Sequence, residues 1–396
     1  MDRSSGLAPH SMALELDTPA LQAHLRDLAQ EARDHRFDVA PNPCVGAGVL
    51  SNGKLIARGV HAHWGGPHAE VMALAAAASS GVPRAAWDAL LVTLEPCSSF
   101  GKTGPCSEAI IAAGISRVVV GALDPDPRHR GRGIEALVKA GIEVINLDGS
   151  VLLKDQAPHF LRWLSIDRLR QPSPWTVAKW AQTLTGQLTP PKTSEDGQWI
   201  SGPEALAEVH VLRGRVDGIM TGFGTVRADN PRLTVRSPGQ RDDPPVRIVL
   251  DSDLRTPPEA RLFEQPGEDE AGGPVLIVCR IGPDAGRARA LEEAGAELLE
   301  VRSVNRTSLD LKAVSQRLHE RGIQRLLLEA GPRLTAAMLE EGLVDQVCIY
   351  TGDMRGGEGP TLGNTLLAVR LGERRDLEVG NCSRMDAFVT LPPGSH

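Results

Sequence analysis

Aromatic residues are scarce in this chain of 396 residues, because Phe, Trp and Tyr together make up only 3% of it. Proteins that bind single-stranded nucleic acid stack the bases on such rings. Basic residues are also fewer than acidic ones: the chain has 43 Lys and Arg residues and 50 Asp and Glu residues, and the formal net charge is −7. Without stacking rings or a long basic stripe, we expect no nucleic-acid partner.

Long apolar runs and cysteines are also few. No stretch reaches the roughly 18 apolar residues that span a bilayer, and the N-terminus, MDRSSGLAPHSMALELD, lacks a basic segment followed by an apolar core. Six cysteines in so long a chain do not make a disulfide scaffold. We therefore expect no membrane association and a reducing, cytoplasmic location. Four cysteines are expected to be small buried filler: Cys44, Cys279, Cys348 and Cys382.

The chain is longer than one ordinary domain, and its 41% hydrophobic and 23% charged residues are typical of globular material. The two prolines of Gln171-Pro172-Ser173-Pro174 favour an extended connection, and we place the boundary there. The sequence thus predicts a first domain over 12–150, a linker over 151–174 that begins as a helical stretch, and a second domain over 175–396.

Hydrophobic periodicity predicts an α/β fold for both domains. In the first, Asn52-Gly53 predicts the turn of a hairpin within 45–56. Further helices are expected over 18–36, 68–78, 106–113 and 133–140, and strands over 90–94 and 118–120. In the second, a largely parallel sheet is expected, with strands over 175–181, 218–221, 246–250, 275–278 and 326–329 and helices such as 203–213 and 311–321.

Three features of the first domain together predict a catalytic metal site. Pro67-His68-Ala69-Glu70 opens a predicted helix, Glu95-Pro96-Cys97 ends a predicted strand, and Cys106 opens the next helix. One imidazole and two thiolates supply three ligands of a tetrahedral zinc ion and leave the fourth position for water. Glu70, two residues after His68, would take a proton from that water and return it to a departing amine.

The spacing agrees only in part with the general zinc-deaminase pattern, H-x-E followed by P-C-x-x-C. Eight residues, not two, separate Cys97 from Cys106, so the intervening loop must return the second thiolate to the metal. The alternative is that His68 caps a core helix and the cysteines are merely buried. The joint occurrence of all three features favours the metal site.

At this point the chain resembles a known family, the bifunctional deaminase–reductases of riboflavin biosynthesis. The resemblance rests on PNPCVGAGVL at 41–50, PHAEV at 67–71, TLEPCSSFGKTGPC at 93–106, DPDPRHRGRGIEALVKAGIEV at 124–144, QWIS at 198–201, TGFGTVRADNPRLTVR at 221–236, RIVLDS at 247–252 and LEAGPRL at 328–334. It covers nearly the whole chain and includes the long loop between the two cysteines.

The resemblance implies that the first domain is a cytidine-deaminase-like α/β/α sandwich. It would remove the pyrimidine 2-amino group from a diaminopyrimidine ribosylamino phosphate. Asn42 and His61 would contact the base or ribose, and Lys102 and Asp124 the sugar phosphate. From the residues alone, Asn42 is equally an ordinary turn residue and His61 a surface histidine. Two positions depart from the family pattern: Ser99 stands where the family has His, and Asp126 where it has Asn.

The second domain would resemble dihydrofolate reductase and use NADPH to reduce the ribose to a ribityl chain. The resemblance places Trp199, Thr225, Asp229, Ser252, Glu329 and Gly331 at the cofactor. It places Lys179, Arg213, Leu233 and Arg236 at the substrate. The departures are Gln182, Thr185, Gly197 and the stretch 351–357.

Three hypotheses follow: a bifunctional enzyme, an active deaminase whose second domain no longer reduces, and a deaminase directed at nucleic acid. The acidic composition and the few aromatics disfavour the third. We therefore expect a zinc hydrolytic deaminase with NADPH-dependent reductase activity, acting on a small phosphorylated pyrimidine and forming a homo-oligomer.

Overall fold

The computed structural model describes residues 17–40, 42–99, 104–151, 173–191, 200–236, 243–305 and 308–390. The chain divides into two compact units, residues 1–170 and 171–396. Nearly all of the predicted linker, 151–174, lies outside the described residues, including its expected helix. The bounds 12–150 and 175–396 therefore stay predictions.

The first unit alternates helices and short strands. Its helices are α1 (Thr18–Arg33), α2 (Arg36–Val39), α3 (Ala69–Ala78), α4 (Cys106–Ala112) and α5 (Arg132–Lys139), with a 3-10 turn at Arg84–Ala86. Its strands are β1 (Gly46–Ser51), β2 (Lys54–Val60), β3 (Ala89–Val92), β4 (Arg117–Val120) and β5 (Glu143–Asn146). Each predicted element of this domain is present, with shifts at the ends; the predicted strand over 90–94 ends at Val92.

The strands form one sheet in the order β2-β1-β3-β4-β5. Strand β1 runs antiparallel to β2 and β3, whereas β3, β4 and β5 are parallel. The predicted hairpin turn is confirmed: Asn52 has φ +50° and Gly53 φ +71°, and such left-handed pairs match the twist of the strands they connect.

Helices cover both faces of this sheet. On one face Ala47 and Val49 of β1 belong to a core shared with α3, α4 and α5. On the other face, Leu50 packs with the leucines of α1. Helix α3 lies directly on β2, because a Cβ atom at Gly59 would be 2.3 Å from the Ala73 nitrogen. The layers therefore form an α/β/α sandwich, as the resemblance implied.

The second unit is a larger α/β layer. Its helices are α6 (Pro203–Gly214), α7 (Phe223–Asp229), α8 (Ala285–Glu293), α9 (Leu311–Glu320), α10 (Pro332–Glu340) and α11 (Gly363–Ala368), with a 3-10 turn at Arg261–Phe263. Its strands are β6 (Trp175–Gln182), β7 (Gln187–Thr189), β8 (Gly218–Gly222), β9 (Val235–Arg236), β10 (Val246–Leu250), β11 (Glu270–Ala271), β12 (Val275–Arg280), β13 (Ala296–Val301), β14 (Arg325–Leu328), β15 (Gln346–Thr351), β16 (Glu358–Thr361), β17 (Arg370–Val379) and β18 (Cys382–Thr390).

Nine of the described strands form the main sheet, in the order β13-β12-β10-β8-β14-β6-β15-β18-β17. Neighbours from β13 to β15 are parallel, and β18 and β17 join antiparallel. Both faces of the parallel part are buried: Ile219 and Met220, adjacent on β8, are 0% and 1% exposed. Buried runs of this kind are typical of parallel sheets, so the largely parallel α/β prediction is confirmed.

Candidate active sites

His68, Cys97 and Cys106 come together in the first unit. Their ligand atoms all lie within 4.8 Å of one another. His68 Nδ1 is 3.1 Å from Cys106 Sγ and 3.6 Å from Cys97 Sγ. His68 is the N-cap of α3 and Cys106 the first residue of α4, so two helix starts and the loop after β3 carry the ligands. One imidazole and two sulfurs at such short range fit a tetrahedral zinc ion.

The electrostatics of this cluster favour a bound cation. Hydrogen bonding to Cys106 lowers the pKa of the Cys97 thiol to about 4 and raises the pKa of Cys106. The backbone N–H of Cys106 donates a further hydrogen bond to Cys97 Sγ at 3.3 Å. Hydrogen bonding to Cys97 raises the pKa of His68. A thiolate half enclosed by protein needs a positive partner, and a divalent metal supplies it.

Glu70 lies on the first turn of α3, two residues after His68. Its side chain is buried, with 3% of the residue exposed. Burial, reinforced by the negative charge of Cys97, raises the pKa of the Glu70 carboxyl to about 7. A carboxyl group that titrates near neutrality is suited to accept a proton and return it.

A cavity of about 300 Å³ opens onto these groups and is lined by Asn42, His61, Glu70, Cys97 and Asp124, among others. Three of the four predicted substrate residues therefore share one cavity with His68, Cys97 and Glu70. The fourth, Lys102, lies outside the described residues. The roles of all four in binding stay predictions.

His61 and Asn42 form a fixed polar pair in this cavity. His61 Nδ1 is 3.0 Å from the Pro67 carbonyl oxygen and His61 Nε2 is 3.3 Å from Asn42 Nδ2. The Nδ1–H tautomer satisfies both contacts, because its Nδ1–H donates to the Pro67 carbonyl oxygen and its Nε2 accepts a hydrogen bond from the Asn42 amide. His61 is 2% exposed, and burial lowers its pKa. The alternative of a surface histidine is therefore wrong.

Sequence reasoning missed the part that Glu95 plays. Its buried carboxylate accepts hydrogen bonds from the backbone N–H groups of Gly131 at 2.9 Å and Gly133 at 3.0 Å, and longer ones from Asp124 and Ile134. A Cβ at Gly133 would lie 1.9 Å from the Pro96 carbonyl oxygen. Glu95 therefore holds the loop 124–131 and the start of α5 against the segment that carries Cys97.

That loop also explains the departure at Asp126. The Asp126 carboxylate is buried and accepts hydrogen bonds from the Arg128 guanidinium: Nε donates at 3.0 and 3.2 Å and Nη2 at 2.6 Å. Arg128 thereby lowers the pKa of Asp126 to about 2. The negative charge that Asp126 adds at this position is therefore paired within its own loop. His129 of this loop and Trp64 also line the cavity, and no sequence signal identified them.

In the second unit, predicted cofactor residues gather at the carboxyl ends of adjacent parallel strands. Thr225 follows β8, Ser252 follows β10, and Glu329 and Gly331 follow β14. The Gly331 N–H donates to Thr225 Oγ1 at 3.1 Å, which joins two of these turns. Ligands of open α/β sheets bind at such strand ends.

Glu329 and Arg213 form a close ion pair. Arg213 Nε and Nη2 donate to the two Glu329 carboxylate oxygens at 2.7 and 2.9 Å, and Arg213 Nη1 donates to the Thr234 carbonyl at 2.8 Å. Burial raises the pKa of Glu329, but the Arg213 charge and hydrogen bonds, with Lys179 nearby, outweigh it and hold the pKa at about 2. The sequence placed these residues at two different ligands, whereas they bind each other.

The other predicted residues of this site are placed as follows. Leu233 is buried with φ +54°, and Arg236 Nε lies 3.2 Å from a carboxylate oxygen of Glu270. The Lys179 ammonium lies 5.8 Å from the Tyr350 ring centroid. Asp229 ends α7. Trp199 and Gly197 lie outside the described residues.

The residues present fit a dinucleotide. At Gly224, the second residue of α7, a Cβ would meet no atom within 4 Å, so the start of this helix is open to a ligand. Gln182, which departs from the family pattern, is held in place by hydrogen bonds. Its side chain accepts one from Trp180 Nε1 at 3.1 Å and donates one to Thr351 Oγ1 at 3.4 Å.

Comparisons with known proteins agree with this geometry. Residues 20–122 match the cytidine and deoxycytidylate deaminase zinc-binding region, and residues 174–373 match the RibD C-terminal domain. The riboflavin biosynthesis protein RibD of Aquifex aeolicus is 37% identical over 325 residues, which cover 82% of this chain and 84% of the relative. The chain belongs to the RibD family. It is thus a riboflavin biosynthesis enzyme with a deaminase and a reductase domain.

Solved structures of the RibD family extend over both domains. RibD of Acinetobacter baumannii is similar with a TM-score of 0.66 and 28% identity, covering 95% of this chain and all of that one. A Thermotoga maritima protein, described as a diaminohydroxyphosphoribosylaminopyrimidine deaminase and 5-amino-6-(5-phosphoribosylamino)uracil reductase, has a TM-score of 0.63 and 26% identity, covering 94% and 99%. The predicted fold class and bifunctional family are confirmed, and a second domain without reductase activity gains no support. No described helix is long and apolar enough to cross a membrane.

Proposed function

We propose that the first domain catalyses the zinc-dependent hydrolytic deamination of a diaminopyrimidine ribosylamino phosphate. The observation that carries this proposal is the shared cavity of His68, Cys97 and Glu70, with Cys106 Sγ 3.1 Å from His68 Nδ1. The Thermotoga maritima protein, similar over both domains, is described by the same reaction.

His68, Cys97 and Cys106 would hold the zinc ion, and zinc, when bound, supplies the Lewis acidity that makes water a nucleophile at neutral pH. The Glu70 carboxylate takes a proton from the attacking water and donates one to the departing nitrogen, so that ammonia leaves and an oxygen replaces it on the ring. Burial raises the pKa of the Glu70 carboxyl, which favours its return to the protonated form during the reaction.

The polar pair of Asn42 and His61 would orient the pyrimidine above this centre. His61 is neutral and its two ring nitrogens are already engaged, so it fixes the Asn42 amide rather than moving protons. Asp124, with Lys102, would meet the ribosyl phosphate end.

Glu70→Gln tests the proton transfer. We expect ammonia release from the diaminopyrimidine substrate to fall by at least about a hundredfold, a typical contribution of general acid–base catalysis. Zinc content, measured by elemental analysis, should be unchanged. Glu108→Gln removes an exposed carboxylate from the first turn of α4 and serves as the control. A Glu70→Gln enzyme that still turns over at the wild-type rate would refute the role.

We propose that the second domain reduces the ribose of the deaminated product to ribityl. NADPH supplies the reducing equivalents when it is bound. The cofactor residues would be Trp199, Thr225, Asp229, Ser252, Glu329 and Gly331, and the substrate residues Lys179, Arg213, Leu233 and Arg236. Oxidation of NADPH that requires the deaminated product, followed at 340 nm, tests this. Absence of oxidation would instead support the deaminase without a working reductase. The cytoplasmic location and homo-oligomeric state also stay predictions.

A further inference from the structure

Four arginines lie at the carboxyl ends of three adjacent parallel strands. Arg227 is on α7 after β8, Arg255 is in the loop after β10, Arg280 ends β12, and Arg287 is on α8, which follows β12. We call these four side chains the arginine cluster. Their guanidinium groups always carry charge at physiological pH, so the cluster carries four positive charges.

Phe223 and Asp253 hold the cluster together. The Arg255 guanidinium carbon is 4.5 Å from the centroid of the Phe223 ring, and that of Arg227 is 5.9 Å from it. Arg280 Nη2 is 3.0 Å from Asp253 Oδ1, and Arg255 Nε is 3.9 Å from Asp253 Oδ2. Arg287 Nη1 donates to the Asp253 carbonyl oxygen at 3.0 Å. The Phe223 ring and Asp253 thus contact all four arginines.

The cluster is accessible and carries more positive charge than Asp253 offsets. The Arg255 and Arg280 side chains remain 53% and 43% exposed. Guanidinium groups that keep an open side next to one another can bind the oxygens of a phosphate in pairs. The chemistry therefore favours a phosphate monoester dianion as the ligand.

The position of the arginine cluster on the sheet indicates which phosphate group it would bind. The predicted cofactor residues Glu329, Thr225 and Ser252 follow β14, β8 and β10, which are successive in the sheet. Asp253 comes directly after Ser252, so a dinucleotide lying across these strand ends reaches the arginine cluster at its β10 end. NADPH differs from NADH only by the phosphate on the adenosine 2′-oxygen, and arginines accommodate that group in other dinucleotide folds.

We propose that Arg255 and Arg280 bind the 2′-phosphate of NADPH and give this reductase its preference for NADPH over NADH. Phe223 and Arg227 position the Arg255 guanidinium through the shared ring face, and Arg287 positions the Asp253 loop. The assignment rests on the proposed reductase function of the second domain.

Calorimetric titration of the full chain with adenosine 2′,5′-bisphosphate tests the site directly. Adenosine 5′-monophosphate, which lacks the 2′-phosphate, is the matched ligand. We expect the wild type to bind the bisphosphate at least about tenfold more tightly, and Arg255→Ala and Arg280→Ala each to lose about tenfold of that affinity. The KM for NADPH should rise in both variants, while the KM for NADH stays constant.

Arg289→Ala is the control, because it removes the same charge from α8 at a side chain that is 81% exposed and pairs with Glu293. It should bind the bisphosphate like the wild type. Unchanged thermal unfolding of Arg255→Ala and Arg280→Ala would show that the fold is intact. Both substitutions remove half-exposed side chains, so we expect this.

Equal affinity of the wild type for the two adenosine nucleotides would overturn the assignment, as would a double Arg255→Ala, Arg280→Ala variant that binds the bisphosphate normally. Displacement of the bisphosphate by equimolar ribose 5-phosphate would instead indicate a site for the substrate phosphate. If the wild type uses NADPH and NADH equally well, the reductase function stands and the assignment fails. If it binds neither dinucleotide, both fail.

Discussion

Removal of the Glu95 carboxylate should loosen the deaminase cavity without touching a metal ligand. Glu95 accepts two short hydrogen bonds, from Gly131 and Gly133, one on each carboxylate oxygen. Hydrogen bonds to a charged group stabilise by about 1.5–3 kcal/mol each. Glu95→Ala loses both, about 3–6 kcal/mol, whereas Glu95→Gln keeps one oxygen and loses about half of that.

Hydrogen–deuterium exchange followed by mass spectrometry measures this locally. Since 1.4 kcal/mol is tenfold in an equilibrium constant, amides in the loop 124–131 and the start of α5 should exchange about 10–100 times faster in Glu95→Gln, and faster still in Glu95→Ala. Because Asp124 and His129 of this loop line the cavity, the KM for the deaminase substrate should rise as well.

The matched control is again Glu108→Gln, which removes an exposed carboxylate from the same unit. It should leave exchange in the loop and the KM unchanged. Exchange at wild-type rates in the loop of Glu95→Ala would refute the reasoning, because it would mean that the four hydrogen bonds do not hold the loop in place.

Three further predictions follow from other contacts. Arg128 lowers the pKa of Asp126 from 3.8 to about 2. The pair therefore contributes fully to the free energy of unfolding above pH 4, and this contribution disappears as the pH falls toward 2. Urea unfolding should find Asp126→Asn less stable by about 1–2 kcal/mol at pH 7, given the half-exposed arginine, and equal to the wild type at pH 2. Arg213→Ala leaves the Glu329 carboxylate buried without its partner and should cost about 3–5 kcal/mol in chemical unfolding, most of it recovered by adding Glu329→Gln; no recovery would contradict the pairing. Chelation of zinc should abolish ammonia release, while NADPH oxidation in the presence of the deaminated product continues. Loss of both activities together would count against separate sites.

Two of the three metal ligands were predictable because each stands at the start of a helix, whereas Cys97 lies in the loop five residues after β3. His68 precedes α3, and Cys106 begins α4. Local signals such as Pro67 and Pro105 mark those helix starts in the sequence. The strand–turn–strand around Asn52-Gly53 was readable for the same reason, since the turn chemistry is local.

Contacts between residues distant in sequence were not predictable. Glu95 binds amides 36 and 38 residues further along, and Arg213 binds Glu329 across 116 residues. No periodicity encodes such pairs, because they depend on which strands become neighbours. The family resemblance therefore assigned Arg213 to the substrate and Glu329 to the cofactor, without indicating that the two side chains form an ion pair.

The final hairpin shows another limit. Strand β17 is largely exposed, and its pairing with β18 shifts register between Gly372 and Arg375. That irregularity breaks the period-two alternation by which strands are recognised. The consecutive charges of Glu373, Arg374, Arg375 and Asp376 further conceal the strand in the sequence.

Because α3 packs closely on β2, Gly59 should affect zinc affinity although it is neither a metal ligand nor part of the cavity lining. With hydrogen as the side chain at position 59, helix and strand touch through their main chains. Apolar contacts need about 3.5 Å, so even Gly59→Ala would push α3 outward by about 1 Å. His68 and Glu70 would then move together away from the two sulfurs, so Gly59→Ala should weaken zinc binding.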